Sequence, residues 1–188
     1  MEGLHLLRER IDRATALVMG PGLGREAESL TLAGDVAKLS SVPLVIDADA
    51  LQPDIVRAGT VPRILTPHAG EFARIAGRSD LAAFCRQTNS VVTLKGPVTR
   101  ICGSASGSVY HNFFGGPVLA RGGSGDILAG LVSGLLAQTP AEPLLAACRG
   151  AIWHGLAADA LARARGQTAV QTTQLLEFLP VVLREAVA

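Results

Sequence analysis

Short apolar runs alternate along the chain with longer stretches in which apolar residues recur every three to four positions. Residues 15–19, Thr-Ala-Leu-Val-Met, form a first run and break at Gly20-Pro21-Gly22-Leu23-Gly24. Residues 26–39 place Leu30, Ala33, Val36 and Ala37 on one helical side, which predicts an amphipathic helix. Pro43-Leu44-Val45-Ile46 reads as a second buried strand and ends at Asp47-Ala48-Asp49. A strand, a helix and a second strand in that order predict a parallel pair joined by a crossover. Arg63–Thr66 and Val91–Leu94 are two further short strands, with a helix over 79–87 between them. Val98–Cys102 and Ser108–His111 flank a Gly-Ser-Ala-Ser-Gly turn and predict a hairpin. Helices follow over 126–138, over about 141–165 and from about Thr173. Strands alternating with helices predict an α/β fold with a mostly parallel sheet.

Ligands of such sheets bind at the carboxyl ends of the strands. The glycine loop at 20–24, Asp47, His68 and Lys95 all fall at those ends. Gly22-Leu23-Gly24-Arg25-Glu26-Ala27 matches a dinucleotide fingerprint in form. Glu26, however, would repel a pyrophosphate at the helix start, which leaves a tight turn or a backbone-lined substrate loop. Asp47 and Asp49 point to opposite sides of an extended segment. They could hold Mg²⁺ or a ribose hydroxyl; the structural alternative has Asp49 capping the next turn and Asp47 anchoring a loop. Thr66-Pro67-His68-Ala69-Gly70-Glu71 is a sharp turn leading into a helix, with a donor and an acceptor at the ligand edge. Lys95 precedes Gly96-Pro97-Val98-Thr99 and is placed to meet a phosphate, although no Gly-Lys-Ser/Thr loop occurs anywhere in the chain.

The densest signal is Gly115-Gly116-Pro117-Val118-Leu119-Ala120-Arg121-Gly122-Gly123-Ser124-Gly125-Asp126, directly before an apolar helix. Glycines at a helix start expose backbone N–H groups at the positive end of the helix dipole, which makes an anion hole. A carboxylate at that place reads either as a general base for a hydroxyl attacking phosphorus or as a plain helix cap. His154 and Asp159 lie five apart, off a common helical face, among small residues that predict close helix packing.

Composition narrows the classes. The chain has 188 residues, the size of one domain. Seventeen basic against 16 acidic residues give a net charge of +1, and aromatics are 4%. Neither a nucleic-acid surface nor an anionic-membrane surface is expected. Glycine is enriched, at 21 residues, against a usual share of about 7%. Cys85, Cys102 and Cys148 have no metal-ligand spacing and read as buried thiols of a reducing compartment. With no signal-peptide pattern and no apolar stretch of spanning length, the expected location is the cytoplasm.

Taken in order, Gly-Pro-Gly-Leu-Gly, Ile-Asp-Ala-Asp-Ala-Leu, Leu-Thr-Pro-His-Ala-Gly-Glu-Phe, Leu-Lys-Gly-Pro-Val-Thr and Ala-Arg-Gly-Gly-Ser-Gly-Asp resemble the ADP/ATP-dependent NAD(P)H-hydrate dehydratases of the ribokinase-like superfamily. The resemblance runs from about residue 16 to 182 and implies one three-layer ribokinase-like domain over 1–188. It implies repair of hydrated NADH and NADPH. The added hydroxyl is phosphorylated by ADP or ATP with Mg²⁺, and phosphate is then eliminated. By matched motif, Gly22, Gly24, His68 and Asp126 would contact the hydrated nucleotide, with Asp126 as the base. Lys95, Gly96, Pro97, Val98, Thr99, Asn112, Gly123, Ser124 and Gly125 would contact the adenine nucleotide. Family members usually begin several dozen residues earlier, with strands and a glycine-rich segment. By that measure the domain is partial and N-terminally truncated, a sheet edge is bare, and a homo-oligomer is expected. Two alternatives stay open: a ribokinase-like kinase of a vitamin precursor, and a non-catalytic, truncated nucleotide-binding module.

Overall fold

The computed structural model describes residues 2–105 and 107–185. Six strands form one sheet in sequential order: β1 (Leu17–Met19), β2 (Leu44–Ile46), β3 (Arg63–Leu65), β4 (Val91–Leu94), β5 (Thr99–Cys102) and β6 (Val109–Asn112). The first four run parallel, and β5 and β6 add an antiparallel hairpin. Among the described residues seven α-helices accompany them: α1 (Glu2–Asp12), α2 (Ala27–Leu39), α3 (Ala69–Ala76), α4 (Leu81–Thr88), α5 (Ser124–Gln138), α6 (Pro143–Arg165) and α7 (Leu175–Glu185). All six strands lie within two residues of the ranges expected from sequence. Helix α1 is not among the expected elements, and α5 begins two residues earlier than expected.

Alternation along the strands sorts the core into two layers. Leu44, Ile46, Leu65, Val92 and Leu94 face Ala33, Ala37, Ile75 and Phe84 from α2 to α4. Val45, Ile64, Val91 and Ile101 face Leu128, Val132, Ala147 and Ala151 from α5 and α6. Strands covered on both sides carry continuous apolar runs, as β2 does with three fully buried residues. The result is helix, sheet, helix, the three layers expected of a ribokinase-like chain. A third cluster, including Leu161, Leu175 and Leu179, seats α7 on α6.

Small residues let α5 and α6 approach closely, as expected from the sequence. A Cβ on Gly150 would lie 2.6 Å from Val132 Cγ2, and one on Gly155 would lie 2.7 Å from the Phe114 backbone. Cys85 and Cys102 are buried, Cys148 is half-buried, and all three are free thiols. No helix among the described residues is long and apolar enough to cross a membrane.

Candidate functional site

The carboxyl ends of the parallel strands converge on the first turn of α5. After β1 the chain turns at Gly20, whose φ is +120° and whose Cβ would lie 1.7 Å from the Asp47 carbonyl oxygen. Only glycine fits there. Gly22 and Gly24 continue the loop, also at positive φ. The Gly24 amide donates to Asp49 Oδ2 at 3.2 Å, and Arg25 Nε donates to Asp49 Oδ1 at 2.9 Å. Asp49 therefore ties down the glycine loop from the next strand end. It caps no turn, contrary to the structural alternative drawn from sequence.

Asp47 is 1% exposed and pairs with Lys95 Nζ at 2.9 Å. Forty-eight residues separate the partners, and parallel pairing of β2, β3 and β4 brings them together. Its partner is thus the phosphate candidate itself. Gly125, in the first turn of α5, sits on this pair: its Cβ would lie 3.2 Å from Lys95 Nζ and 3.7 Å from Asp47 Oδ2. The sheet end thereby presents an ammonium, held by a buried carboxylate, against the positive end of a 15-residue helix.

His68 follows β3 and forms a bridge with Lys95. Its Nδ1 accepts from the amides of Gly70 at 3.0 Å and Glu71 at 3.2 Å, while Glu71 Oε2 accepts from the His68 amide at 2.9 Å. This reciprocal cap starts α3. It also assigns the ring proton to Nε2. Nε2 lies 3.5 Å from Glu71 Oε1, and the side chain is 61% exposed, so the ring edge remains accessible to a ligand.

The remaining sequence-predicted residues divide. Gly96 and Pro97 are exposed, and Val98 and Thr99 half-buried, in the turn beyond Lys95. Thr99 pairs with Asn112 across β5 and β6, so both lie at the same end of the sheet. Asn112, however, is spent internally: its Nδ2 donates to the Ala151 carbonyl at 3.0 Å, and its Oδ1 accepts from the Phe114 amide at 3.2 Å. Gly123 caps α5 with φ +85°. Ser124 is also turned inward, its hydroxyl donating to the Leu119 carbonyl at 2.8 Å and its amide to Arg121 O at 3.3 Å. Asp126 is exposed and belongs to the first turn of α5. The cap position falls on Gly123, so the plain-cap alternative for Asp126 does not hold.

Sequence reasoning missed the braces behind the glycine segment. Asp159 Oδ2 accepts from the Gly115 amide at 3.1 Å. Arg121 donates to the carbonyls of Gln167 and Thr168, and Thr172 Oγ1 donates to Gly122 O at 2.9 Å. The five-residue spacing of His154 and Asp159 holds the signal for one of these. The two side chains leave α6 in different directions, Asp159 to the glycine segment and His154 into the interior. Burial above all, with Lys95 adding to it and an interaction with the Ser124 backbone opposing it, lowers the His154 imidazole to about 4.

Among the described residues no group of three or more His, Cys, Asp or Glu side chains could hold a metal ion. A divalent cation would rest on ligand phosphates, with Asp126 the exposed carboxylate of the α5 first turn. An apolar hollow of about 380 Å³, lined by Ile127, Leu131, Trp153 and Leu179, opens between α5, α6 and α7 and contains none of the site residues.

Known proteins resemble this chain in sequence and in fold. The chain is 39% identical to the bifunctional NAD(P)H-hydrate repair enzyme Nnr of Moorella thermoacetica, over 97% of its own length and 37% of that protein's. It thus spans little more than a third of such curated relatives. Among solved structures it resembles the Bacillus subtilis ADP/ATP-dependent NAD(P)H-hydrate dehydratase co-crystallised with ATP/Mg²⁺ and soaked with CoA. The TM-score is 0.80 at 28% identity, covering 97% of this chain and 76% of that one. A ribokinase-like superfamily protein of Enterococcus faecalis gives 0.82 at 29%, covering 98% and 68%. Hydroxyethylthiazole kinase of Pyrococcus horikoshii, at 20% identity and 0.76, shares the fold. The family model described as NAD(P)H-hydrate dehydratase matches residues 3–181. That span contains the glycine loop, Asp47, His68, Lys95 and the first turn of α5, and the chain belongs to the NAD(P)H-hydrate dehydratase family.

Proposed function

We propose that this chain carries the ADP- or ATP-dependent dehydration of the S-epimer of hydrated NADH and NADPH, within one ribokinase-like domain. The observation that carries the reading is the convergence of Lys95, Gly125 and the exposed Asp126 at the N-terminus of α5. It joins a phosphate-binding end to a carboxylate that can take a proton. The ring hydroxyl attacks the terminal phosphorus, its proton passes to Asp126, and the nucleotide leaves one phosphate shorter. The phosphorylated hydrate then loses inorganic phosphate together with a neighbouring ring proton, and the ring double bond re-forms.

Lys95 and the amides of Gly125 and Asp126 hold the transferring phosphate, and the turn from Gly96 to Thr99 borders the nucleotide. Gly22, Gly24 and the Nε2–H of His68 face the hydrated nicotinamide side. Asn112, Gly123 and Ser124 shape this pocket from behind. Mg²⁺ fits as a nucleotide-borne ion and supplies charge neutralisation on the phosphates. Among the described residues β1 pairs only with β2, and an unpaired strand edge supports self-association of the chain.

The test is recovery of dihydronicotinamide absorbance from hydrated NADH, with ATP or ADP and Mg²⁺, at one inorganic phosphate per ring repaired. Asp126→Asn is expected to lower turnover by about 10²–10⁴-fold. No turnover by the wild type, or full turnover by the Asn variant, overturns the reading. A stable phosphorylated product with no ring repaired points to a plain kinase instead.

A further inference from the structure

The face of the sheet beneath α5 and α6 ends in a buried polar row. Val45, Ile64 and Val91 belong to the apolar layer under those helices. Two residues further along each strand the same face returns, at Asp47, Thr66 and Thr93. The strand register sets these three side by side. Lys95 follows on the same face and closes onto Asp47.

Four buried side-chain polar atoms among the described residues have no hydrogen-bond partner: Thr66 Oγ1, Thr93 Oγ1, His154 Nε2 and Arg121 Nε. Three of them concern this row. Thr66 and Thr93 are fully buried members of it, and His154, 5% exposed, reaches it from α6. Ala147 and Ala151 place one face of α6 on this sheet layer, and His154 repeats that face one turn on. Lys95 and the Ser124 backbone both act on its ring. Buried polar atoms without partners lower stability, and an apolar side chain would remove that loss. The row thus has a use other than packing.

We propose that His154 is a positioning residue: with the hydroxyls of Thr66 and Thr93 it forms a buried polar pocket behind the Asp47–Lys95 pair, which holds the Lys95 ammonium toward the first turn of α5. This rests on the nucleotide reading above and adds a residue to it. The ring stays neutral beside the ammonium, because burial holds its protonation down to about 4. Lys95 then carries the charge of this row, and its direction is set by polar neighbours in place of mobile solvent.

Titration calorimetry of the full chain with ATP and Mg²⁺, paired with thermal melts, tests this. His154→Phe is expected to keep or raise the melting temperature while ATP affinity falls about tenfold, a coupling size usual for side chains in one network. His154→Gln, which restores a polar group, is expected to recover part of the loss. In a Lys95→Ala background, His154→Phe is expected to cost nothing more. Unchanged affinity in His154→Phe, or a loss that adds in full to that of Lys95→Ala, overturns the proposal. Should His154→Phe fail to fold, the isosteric Thr93→Val carries the same expectation: stability kept, affinity lowered, no further loss on Lys95→Ala. Wild-type chain that does not bind ATP overturns the nucleotide reading and this proposal with it. Binding weakened by Lys95→Ala but untouched by His154→Phe and Thr93→Val overturns the proposal alone.

Discussion

His68 carries two duties on one ring. Its Nδ1 takes the two amides that open α3, and its Nε2 lies 3.5 Å from Glu71 Oε1 at an exposed edge of the ring. The duties separate by substitution. Asparagine caps helices as well as any residue, so His68→Asn is expected to keep stability within about 0.5 kcal/mol. His68→Ala loses the cap and about 1 kcal/mol. Both remove the imidazole Nε2–H, so both are expected to slow hydrate repair. Urea unfolding beside turnover decides it: repair that follows stability and not the donor leaves His68 a cap alone. In the sequence the His-x-x-Glu spacing is visible, and so is its place at a strand end. The Asp47–Lys95 pair is not, because its partners are 48 residues apart and only the sheet register joins them. For the same reason Asp49, open from sequence between a ligand-holding role and a local cap, proves to hold a loop 24 and 25 residues behind it.

At the level of elements, β2, β3 and β4 are readable because both their faces are buried, which leaves short, mostly apolar runs between turn residues. The hairpin was readable from its Gly-Ser-Ala-Ser-Gly turn. The start of α5 was not, because Gly123-Ser124-Gly125 carries no apolar period and low helix propensity. The helix begins there to seat its first turn on Lys95, a tertiary requirement. Gly125 shows this directly. Its φ is not in the left-handed region, and alanine would raise helix propensity by about 1 kcal/mol. Yet a Cβ would crowd Lys95 Nζ at 3.2 Å. Gly125→Ala is therefore expected to melt no lower than wild type while binding ATP more weakly. Thermal melts with and without ATP check it. An ATP-induced rise in Tm as large as that of wild type removes Gly125 from the phosphate site.

The whole molecule brings the site and its exposed surfaces into one account. Sequential strand order, β1 through β6, places every parallel strand end on one side, where the ligand groups gather. The same order leaves β1 and β6 as open edges. β1 is three residues long, pairs only with β2, and exposes Val18 by 46%. An edge without bulge, proline or charge is a template for another strand, and β1 has none of the three. β6 carries the polar His111, opposite Arg100 of its paired neighbour β5. Self-association is thus expected through β1. Light scattering of the wild-type chain is expected to give a mass above one protomer that falls on dilution. Val18→Lys places a charge on the edge and is expected to shift the mass toward one protomer, leaving ATP binding intact because Val18 precedes the glycine loop. Tyr110→Lys on β6 is expected to leave the assembly unchanged. A monomeric wild type, or dissociation by Tyr110→Lys and not by Val18→Lys, shows that β1 is not the joining edge.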